Sequence, residues 1–199
     1  MHQTAATASD PRPFLWTRAA YYAMGESGLF DGKRVQLIAG EIVEMSPMGR
    51  PHALAVIKIV EYLRQLAGGD YHVQSQLPLA LGNRSEPEPD AALIAGAASD
   101  YNDHPATAAL IVEVSESTLA FDRAQKGSLY ARHGIPEYWI VNLSDRQLEI
   151  YRTPIPDPAA SSGWQYGDRQ ILAPDASAAP LARPDAAIAV CNLLPQPAA

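Results

Sequence analysis

A single carboxylate inside an apolar, β-branched run is the feature that most limits how this chain can fold. Residues 109–114 read ALIVEV, and their length and β-branched content are typical of a buried strand. An ionised carboxylate removed from water costs many kcal/mol unless a partner or a bound ligand compensates its charge. Glu113 therefore has to meet a cation, a strong hydrogen-bond donor or a ligand inside the fold.

A second acid, Asp90, stands in a similar setting. It follows Pro89 and opens the apolar run at 91–95, AALIA. Proline restricts its neighbours and removes a ladder hydrogen bond, so this segment should enter a sheet from its edge or end. A hairpin-like relation between the two strands would bring Asp90 and Glu113 to one side, a few ångströms apart. Each acid alone could equally cap a strand end or pair with an arginine, but the two together favour a metal site.

Lys126 lies a short way downstream, on a helix predicted at 119–132. Asp122 precedes it by four residues, so both side chains share one helix face. If that face packs on the sheet, Lys126 reaches the two acids and stabilises negative charge that develops in a reaction. The alternative is an ordinary surface ion pair, worth about 0.2–0.5 kcal/mol.

Two further side chains are candidates for the same site. His52 begins another predicted helix, where free backbone donors and the helix dipole favour anions. A partly exposed helix residue is the alternative interpretation of His52. Glu41 and Glu44 precede this helix on a predicted strand with opposite facing, so only one can point inward. We predict that Glu44 is the inward one and a third metal ligand beside Asp90 and Glu113.

Hydrophobic periodicity predicts an α/β (α+β) domain. Apolar residues recur at three- and four-residue spacing from Ala53 to Ala67, which predicts a helix that Gly68 ends. A short helix should begin at Thr17, and Ala39-Gly40 has the length of a tight hairpin turn. The order of elements indicates a mixed β-sheet flanked by helices, with additional β-hairpins. Strands are predicted at 34–38, 41–45, 71–75, 77–81, 90–95, 109–114, 137–141, 147–151, 169–172 and 187–190.

Composition limits the class of protein. The chain has 199 residues, 47% hydrophobic and 19% charged, as expected for one soluble globular domain at 14–195 after a disordered tail at 1–13. The net charge of −7 argues against a protein that coats nucleic acid, although a nuclease can carry a locally basic face. The apolar stretches are strand-sized, the beginning of the chain lacks a secretory signal, and one cysteine allows no internal disulfide. Together these features predict a cytoplasmic location away from membranes.

Several segments together resemble the Uma-two family of restriction endonucleases, which itself resembles the PD-(D/E)XK nuclease superfamily. The similarity covers roughly residues 17 to 195, and its most specific part runs from Glu113 to Val141. The segments that carry it are 40–47 (GEIVEMSP) with His52, Pro89-Asp90, 111–118 (IVEVSEST), Asp122, Lys126, Tyr130 and 134–141 (GIPEYWIV).

The resemblance implies a restriction-endonuclease-like core, a Mg²⁺ site in which Mn²⁺ can substitute, and DNA as the substrate. Asp90 matches the first acid of the superfamily motif and Glu113 the second. The lysine expected two residues after the second acid is replaced by Ser115, and the resemblance implies that Lys126 has taken over its role. Gln36 stands where relatives often carry glutamate. Folds of this type commonly cut two strands with two active sites, so a homodimer is expected.

Two hypotheses of different class follow. In the first, the protein is a metal-dependent DNA endonuclease whose catalytic residues are Asp90, Glu113 and Lys126, supported by His52 and Asp122. In the second, the protein is not catalytic and uses the same fold to bind nucleic acid or another protein. The set of two acids and a lysine favours the enzyme, whereas the acidic net charge and the displaced lysine favour the binding protein.

Overall fold

The computed structural model describes residues 11–196, so most of the predicted N-terminal tail, residues 1–10, lies outside the described part of the chain. The helices are α1 (Arg18–Glu26), α2 (Arg50–Ala67), α3 (Leu119–Phe121) and α4 (Gly127–Arg132). A π-helical turn (Asp122–Lys126) joins α3 to α4 without a break. Within residues 11–196, no helix has both the length and the hydrophobicity needed to cross a membrane.

The helix starts and ends follow the predicted local signals. Thr17 caps α1, and its side chain accepts a hydrogen bond from the backbone N–H of Ala20 at 3.3 Å. The carboxyl end of α2 is Gly68, whose φ of 59° is in the region that glycine adopts without strain.

Six strands form one mixed sheet in the order β3-β4-β5-β6-β7-β8. Strands β5 and β6 pair in parallel, and the other neighbours are antiparallel. A hairpin of β1 and β2 and a small pair of β9 and β10 lie outside this sheet, which confirms the predicted mixed sheet with additional hairpins. The strands are β1 (Val35–Ile38), β2 (Glu41–Glu44), β3 (Tyr71–Gln74), β4 (Ala91–Ala95), β5 (Leu110–Ser115), β6 (Glu137–Asn142), β7 (Gln147–Pro156), β8 (Trp164–Leu172), β9 (Ser177–Ala178) and β10 (Ile188–Ala189).

Strands β5 and β6, in the middle of the sheet, are buried on both faces. Alternation along β5 sends Val112 to a core shared with α2, and Ile111 to a second core shared with α4. Glu113 is two residues from Ile111 and therefore belongs to the α4 face. This arrangement decides which helix can supply a partner for the buried acid.

The strand predicted at 77–81 is wrong. The segment is irregular and runs beside residues 85–89, linked by the hydrogen bonds from Leu79 N to Pro87 O and from Leu81 N to Ser85 O, 2.9 and 3.0 Å long. Pro78, Pro87 and Pro89 have no N–H group, so a regular ladder cannot close between these two stretches.

Glu149 ties the far part of the sheet to the helical side. Its side chain is fully buried in β7 and accepts hydrogen bonds from Arg123 Nε at 3.0 Å and Arg169 Nη2 at 2.9 Å. Tyr151 and Asn142 donate to the same carboxylate at 2.6 and 3.0 Å. Burial works to raise the pKa of Glu149, but hydrogen bonds from Arg123, Tyr151 and Asn142 outweigh it and hold the pKa at about 2.

This depressed pKa predicts how acid affects stability. Glu149 has an ordinary pKa of 4.5, so its contribution is complete above pH 4.5 and is lost as the pH falls towards about 2. We expect Glu149→Gln to lower the free energy of unfolding at neutral pH by about 2 kcal/mol, since it weakens several charge-assisted hydrogen bonds. Urea unfolding between pH 7 and pH 2 measures both effects, with the exposed Glu61→Gln as control. Parallel pH curves for wild type and Glu149→Gln would contradict the assignment.

Candidate active site

The register of two antiparallel strands brings the two predicted acids together. Ala91 pairs with Val112, and one further step along the same register places Asp90 opposite Glu113. Residues directly opposite on antiparallel strands have Cβ atoms about 4.5–5.5 Å apart. Asp90 and Glu113 line the same cavity, and they are only 6% and 3% exposed.

Glu113 is held by two donors from the helical side. Lys126 Nζ donates to Glu113 Oε1 at 2.8 Å, and the Tyr130 hydroxyl donates to the same oxygen at 2.7 Å. Burial raises the pKa of Glu113 to about 7; Asp90 and Asp122 also act to raise it, whereas Lys126 opposes the rise. Both donors bond to Oε1. Among the described residues no donor contacts Oε2 of Glu113, which leaves that second oxygen available to a ligand.

A π-helical turn carries Lys126 to this position. In the turn the backbone N–H of Gly127 bonds to the carbonyl of Asp122, five residues earlier, instead of four as in an α-helix. Lys126 and Asp122 are both buried, with side chains 3% exposed, so the surface ion pair considered from the sequence does not exist. Burial acts to lower the pKa of Lys126, but the charges of Glu113 and Asp122 outweigh it, so the pKa rises and the ammonium stays charged.

Asp122 organises the carboxyl end of β5. Its Oδ2 accepts hydrogen bonds from Ser115 Oγ at 2.7 Å and Thr118 Oγ1 at 2.6 Å. Its Oδ1 lies 3.8 Å from Lys126 Nζ. Ser115, which stands where the superfamily motif has lysine, therefore serves as a hydrogen-bond donor to the acid that neighbours Lys126.

Asp90 is fixed from three sides. Oδ2 accepts the backbone N–H of Val114 at 2.8 Å, and Oδ1 lies 3.0 Å from His52 Nε2 and 3.3 Å from Gln76 Nε2. Burial acts to raise the pKa of Asp90, yet the hydrogen bond from His52, that residue's charge and the Val114 N–H lower it below its usual value. The site thus holds one carboxyl whose pKa is lowered, Asp90, and one whose pKa is raised, Glu113.

His52 lies in the first turn of α2, with Pro51 before it and Gly49 as the N-cap. Gly49 has no side chain to cap the helix, so backbone donors at this end stay available to an anion. Burial acts to lower the pKa of His52, but the hydrogen bond and the charge of Asp90 outweigh it and raise the pKa. The structure therefore brings His52 to the acids.

Glu44 is not part of this cluster, and its prediction as a third metal ligand is corrected. Its side chain is 62% exposed and forms a surface ion pair with Lys33, at 3.5 Å between Nζ and Oε2. Residues 45–49, after β2 ends, line the cavity instead. A carboxylate at the end of a two-stranded hairpin stays hydrated at no cost, whereas burial beside Asp90 and Glu113 would add repulsion.

The cavity has a volume of about 80 Å³. The sequence indicated some of the residues at this site but not others. Tyr130 does not line the cavity but donates a hydrogen bond to Glu113, and its position four residues after Lys126 could have indicated this role. Arg34 and Glu88 gave no pattern in the sequence. The lining consists of Arg34, Gln36, residues 45–49, His52, Glu88, Asp90, residues 113–114 and 116–118, Asp122 and Lys126.

The oxygen atoms at this site suit a hydrated divalent cation. Within residues 11–196, no group of three or more His, Cys, Asp or Glu side chains is arranged to hold a metal ion. Asp90 and Glu113 remain as a pair of carboxylates on neighbouring strands, with Oε2 of Glu113 open. Mg²⁺ commonly binds one or two carboxylates and keeps several waters, so the pair fits this type of ion.

The fold is a restriction-endonuclease-like core, a mixed sheet flanked by helices. It matches the crystal structure, at 1.96 Å resolution, of a "putative nuclease belonging to DUF820" from Anabaena variabilis ATCC 29413, with a TM-score of 0.62. The match covers 81% of this chain and 89% of that chain at 12% sequence identity, which shows a common fold.

The family follows from the sequence itself. Residues 19–189 match the model of the Uma2 family, described as "Putative restriction endonuclease". The chain belongs to the Uma2 family, as the resemblance in the sequence predicted. No curated protein matches the sequence.

The contacts of Asp122 predict its effect on stability. Asp122→Ala removes the acceptor of two hydroxyl groups and one of the two carboxylates near the buried Lys126. We expect the free energy of unfolding to fall by about 2–3 kcal/mol. Glu116→Ala, an exposed acid that lines the same cavity, serves as the matched control and should change stability little. Equal urea unfolding curves for the two variants would show that Asp122 does not organise the site.

Proposed function

We propose that this protein is a metal-dependent endonuclease that hydrolyses phosphodiester bonds in DNA, with Mg²⁺ as the cofactor and Mn²⁺ as a substitute. The observation that carries the proposal is the position of Asp90 opposite Glu113, with Lys126 bonded to Glu113, in one cavity. A buried ammonium beside two acids at the mouth of a sheet is costly to maintain, which favours a functional role over a purely structural one.

Asp90 and Glu113 are the proposed metal ligands. Glu113 Oε2 faces no described donor, and the backbone and His52 contacts fix Asp90 in place. The chemistry that a divalent cation supplies when bound is polarisation of the phosphoryl group and activation of water. Tyr130 and Lys126 hold the Glu113 carboxylate in one orientation, so the two acids do not have to reorganise on binding.

Lys126 is the proposed stabiliser of charge in the transition state. Its ammonium is buried and stays protonated beside Glu113 and Asp122. A positive charge in a site with little water stabilises negative charge on the reacting phosphoryl oxygens far more than it would in solvent. Asp122 is a positioning residue, because it holds Lys126 and the Ser115 hydroxyl together at the carboxyl end of β5.

DNA would approach from the side of the α2 N-terminus. Gly49 and His52 line the cavity there, and backbone donors at a helix start bind phosphate well. Arg34, 40% exposed in its side chain, lines the same cavity and adds positive charge. Since duplex DNA has two strands, we propose that two copies of the chain act together as a homodimer.

A second candidate is a non-catalytic protein that binds nucleic acid or protein with the same fold. Two observations favour it. The net charge of −7 weakens general attraction to DNA. In addition, the lysine of the site, Lys126, comes from the helical turn instead of from β5.

The cleavage assay separates the two candidates. Supercoiled plasmid and single-stranded DNA are incubated with the protein and Mg²⁺, Mn²⁺ or a chelator. We expect cleavage with either metal and none with the chelator. Lys126→Ala and Lys126→Met should each lower the cleavage rate about 10²–10³-fold, as removal of a preorganised charge-stabilising group does. DNA affinity should change only modestly, since other groups contact the backbone.

Lys33→Met is the matched control, because Lys33 pairs with Glu44 on the surface and does not line the cavity. Far-ultraviolet circular dichroism checks that each variant folds. If both Lys126 variants cut as fast as the wild type, the role of Lys126 is wrong. If the wild type binds DNA and cuts nothing with either metal, the non-catalytic candidate replaces the enzyme.

A further inference from the structure

A fully buried amide oxygen at the site has no hydrogen-bond partner among the described residues. Gln36 is 1% exposed, and its Oε1 is buried without a hydrogen-bond donor among the described residues. Gln74 Oε1 is in the same state, but Gln74 does not line the cavity, whereas Gln36 does. Buried polar atoms are normally satisfied, so an acceptor left over at a candidate active site indicates a ligand that supplies what is missing.

The orientation of the Gln36 amide is set by its neighbour. Nε2 lies 3.5 Å from the carbonyl oxygen of Glu88, on the segment that leads into Asp90. A carbonyl only accepts hydrogen bonds, so the NH₂ group turns towards it and Oε1 turns away. The acceptor that remains is the amide oxygen.

The chemistry of an amide oxygen limits what can satisfy it. It accepts hydrogen bonds and binds cations, but it donates nothing. A phosphodiester offers only acceptors, so it cannot satisfy Gln36. The carboxylates of Asp90, Glu113 and Glu88, which line the same cavity, offer no donor when ionised. A hydrated divalent cation provides both positive charge and water donors.

We propose that Gln36 is a third oxygen donor to the divalent-cation site, acting on the ion and its bound water from β1 while Asp90 and Glu113 act from β4 and β5. The inference rests on the metal site in the proposed function. It gives the β1–β2 hairpin, which lies outside the six-stranded sheet, a direct part in holding the cation. It also assigns a role to a neutral side chain that a search for acidic ligands passes over.

Isothermal titration calorimetry with Mn²⁺ on the full chain tests this role. Gln36→Leu keeps the bulk and removes the oxygen, and we expect Mn²⁺ to bind about tenfold more weakly, the usual cost of losing a supporting group at a metal site. Gln36→Glu keeps an oxygen and adds charge, so Mn²⁺ should bind at least as tightly as to the wild type. Gln74→Leu removes the other partnerless amide oxygen, away from the cavity, and should leave Mn²⁺ affinity unchanged.

The outcomes distinguish a failure of the Gln36 role from a failure of the proposed metal site. If the wild type binds Mn²⁺ and Gln36→Leu binds it equally well, Gln36 is not a donor and the two carboxylates stand alone. Equal weakening by Gln74→Leu would also overturn the inference, because the loss would not depend on the cavity. If the wild type binds no Mn²⁺, the metal site and the inference fail together. Should Gln36→Leu not fold, weaker binding by Gln36→Glu overturns the inference.

Discussion

The ion pair between Lys126 and Glu113 is the interaction on which the rest of the site depends. Both side chains are almost fully buried, and their charged atoms lie 2.8 Å apart. Such a pair gains little net stability, because the cost of removing two charges from water offsets their attraction; removing one partner costs about 3–5 kcal/mol. The fold therefore keeps a charge arrangement that hydrophobic residues could replace, and it keeps it beside a cavity that opens to solvent.

Two structural features position the Lys126–Glu113 ion pair and the neighbouring Asp90. The antiparallel register of β4 and β5 sets Asp90 opposite Glu113, and the alternation of β5 turns Glu113 towards the α4 side. The π-helical turn and the helix that follows it bring Lys126 and Tyr130 to the same oxygen of the Glu113 carboxylate. The lysine of the site comes from the helical turn, while Ser115, two residues after Glu113 on β5, is bonded to Asp122. The Lys126 ammonium is thus positioned by the helical turn, and the carboxylates of Asp90 and Glu113 are positioned by the strands of the sheet.

Much of this arrangement could be predicted from the sequence, because it depends on short-range patterns. A carboxylate in a six-residue apolar run, an acid after proline and a lysine four residues from an acid are all visible in one chain. Other features depend on contacts between distant segments. Alternation allows only one of Glu41 and Glu44 to point inward, and the break at 45–47 favours Glu44, which precedes it, but its side chain faces solvent. The strand predicted at 77–81 is irregular because prolines in this segment and in the adjacent stretch 85–89 lack N–H groups. The unpaired oxygen of Gln36 is seen only when β1 meets the segment that contains Glu88.

The proposed function depends on one divalent cation that Asp90 and Glu113 share. Crystals of the full chain grown with MnCl₂ test it most directly, because manganese gives an anomalous difference peak that locates the ion. We expect one peak in the cavity, about 2.1 Å from a carboxylate oxygen of Asp90 and from one of Glu113. A peak that contacts neither acid, or no peak at saturating manganese, would contradict a shared cation site.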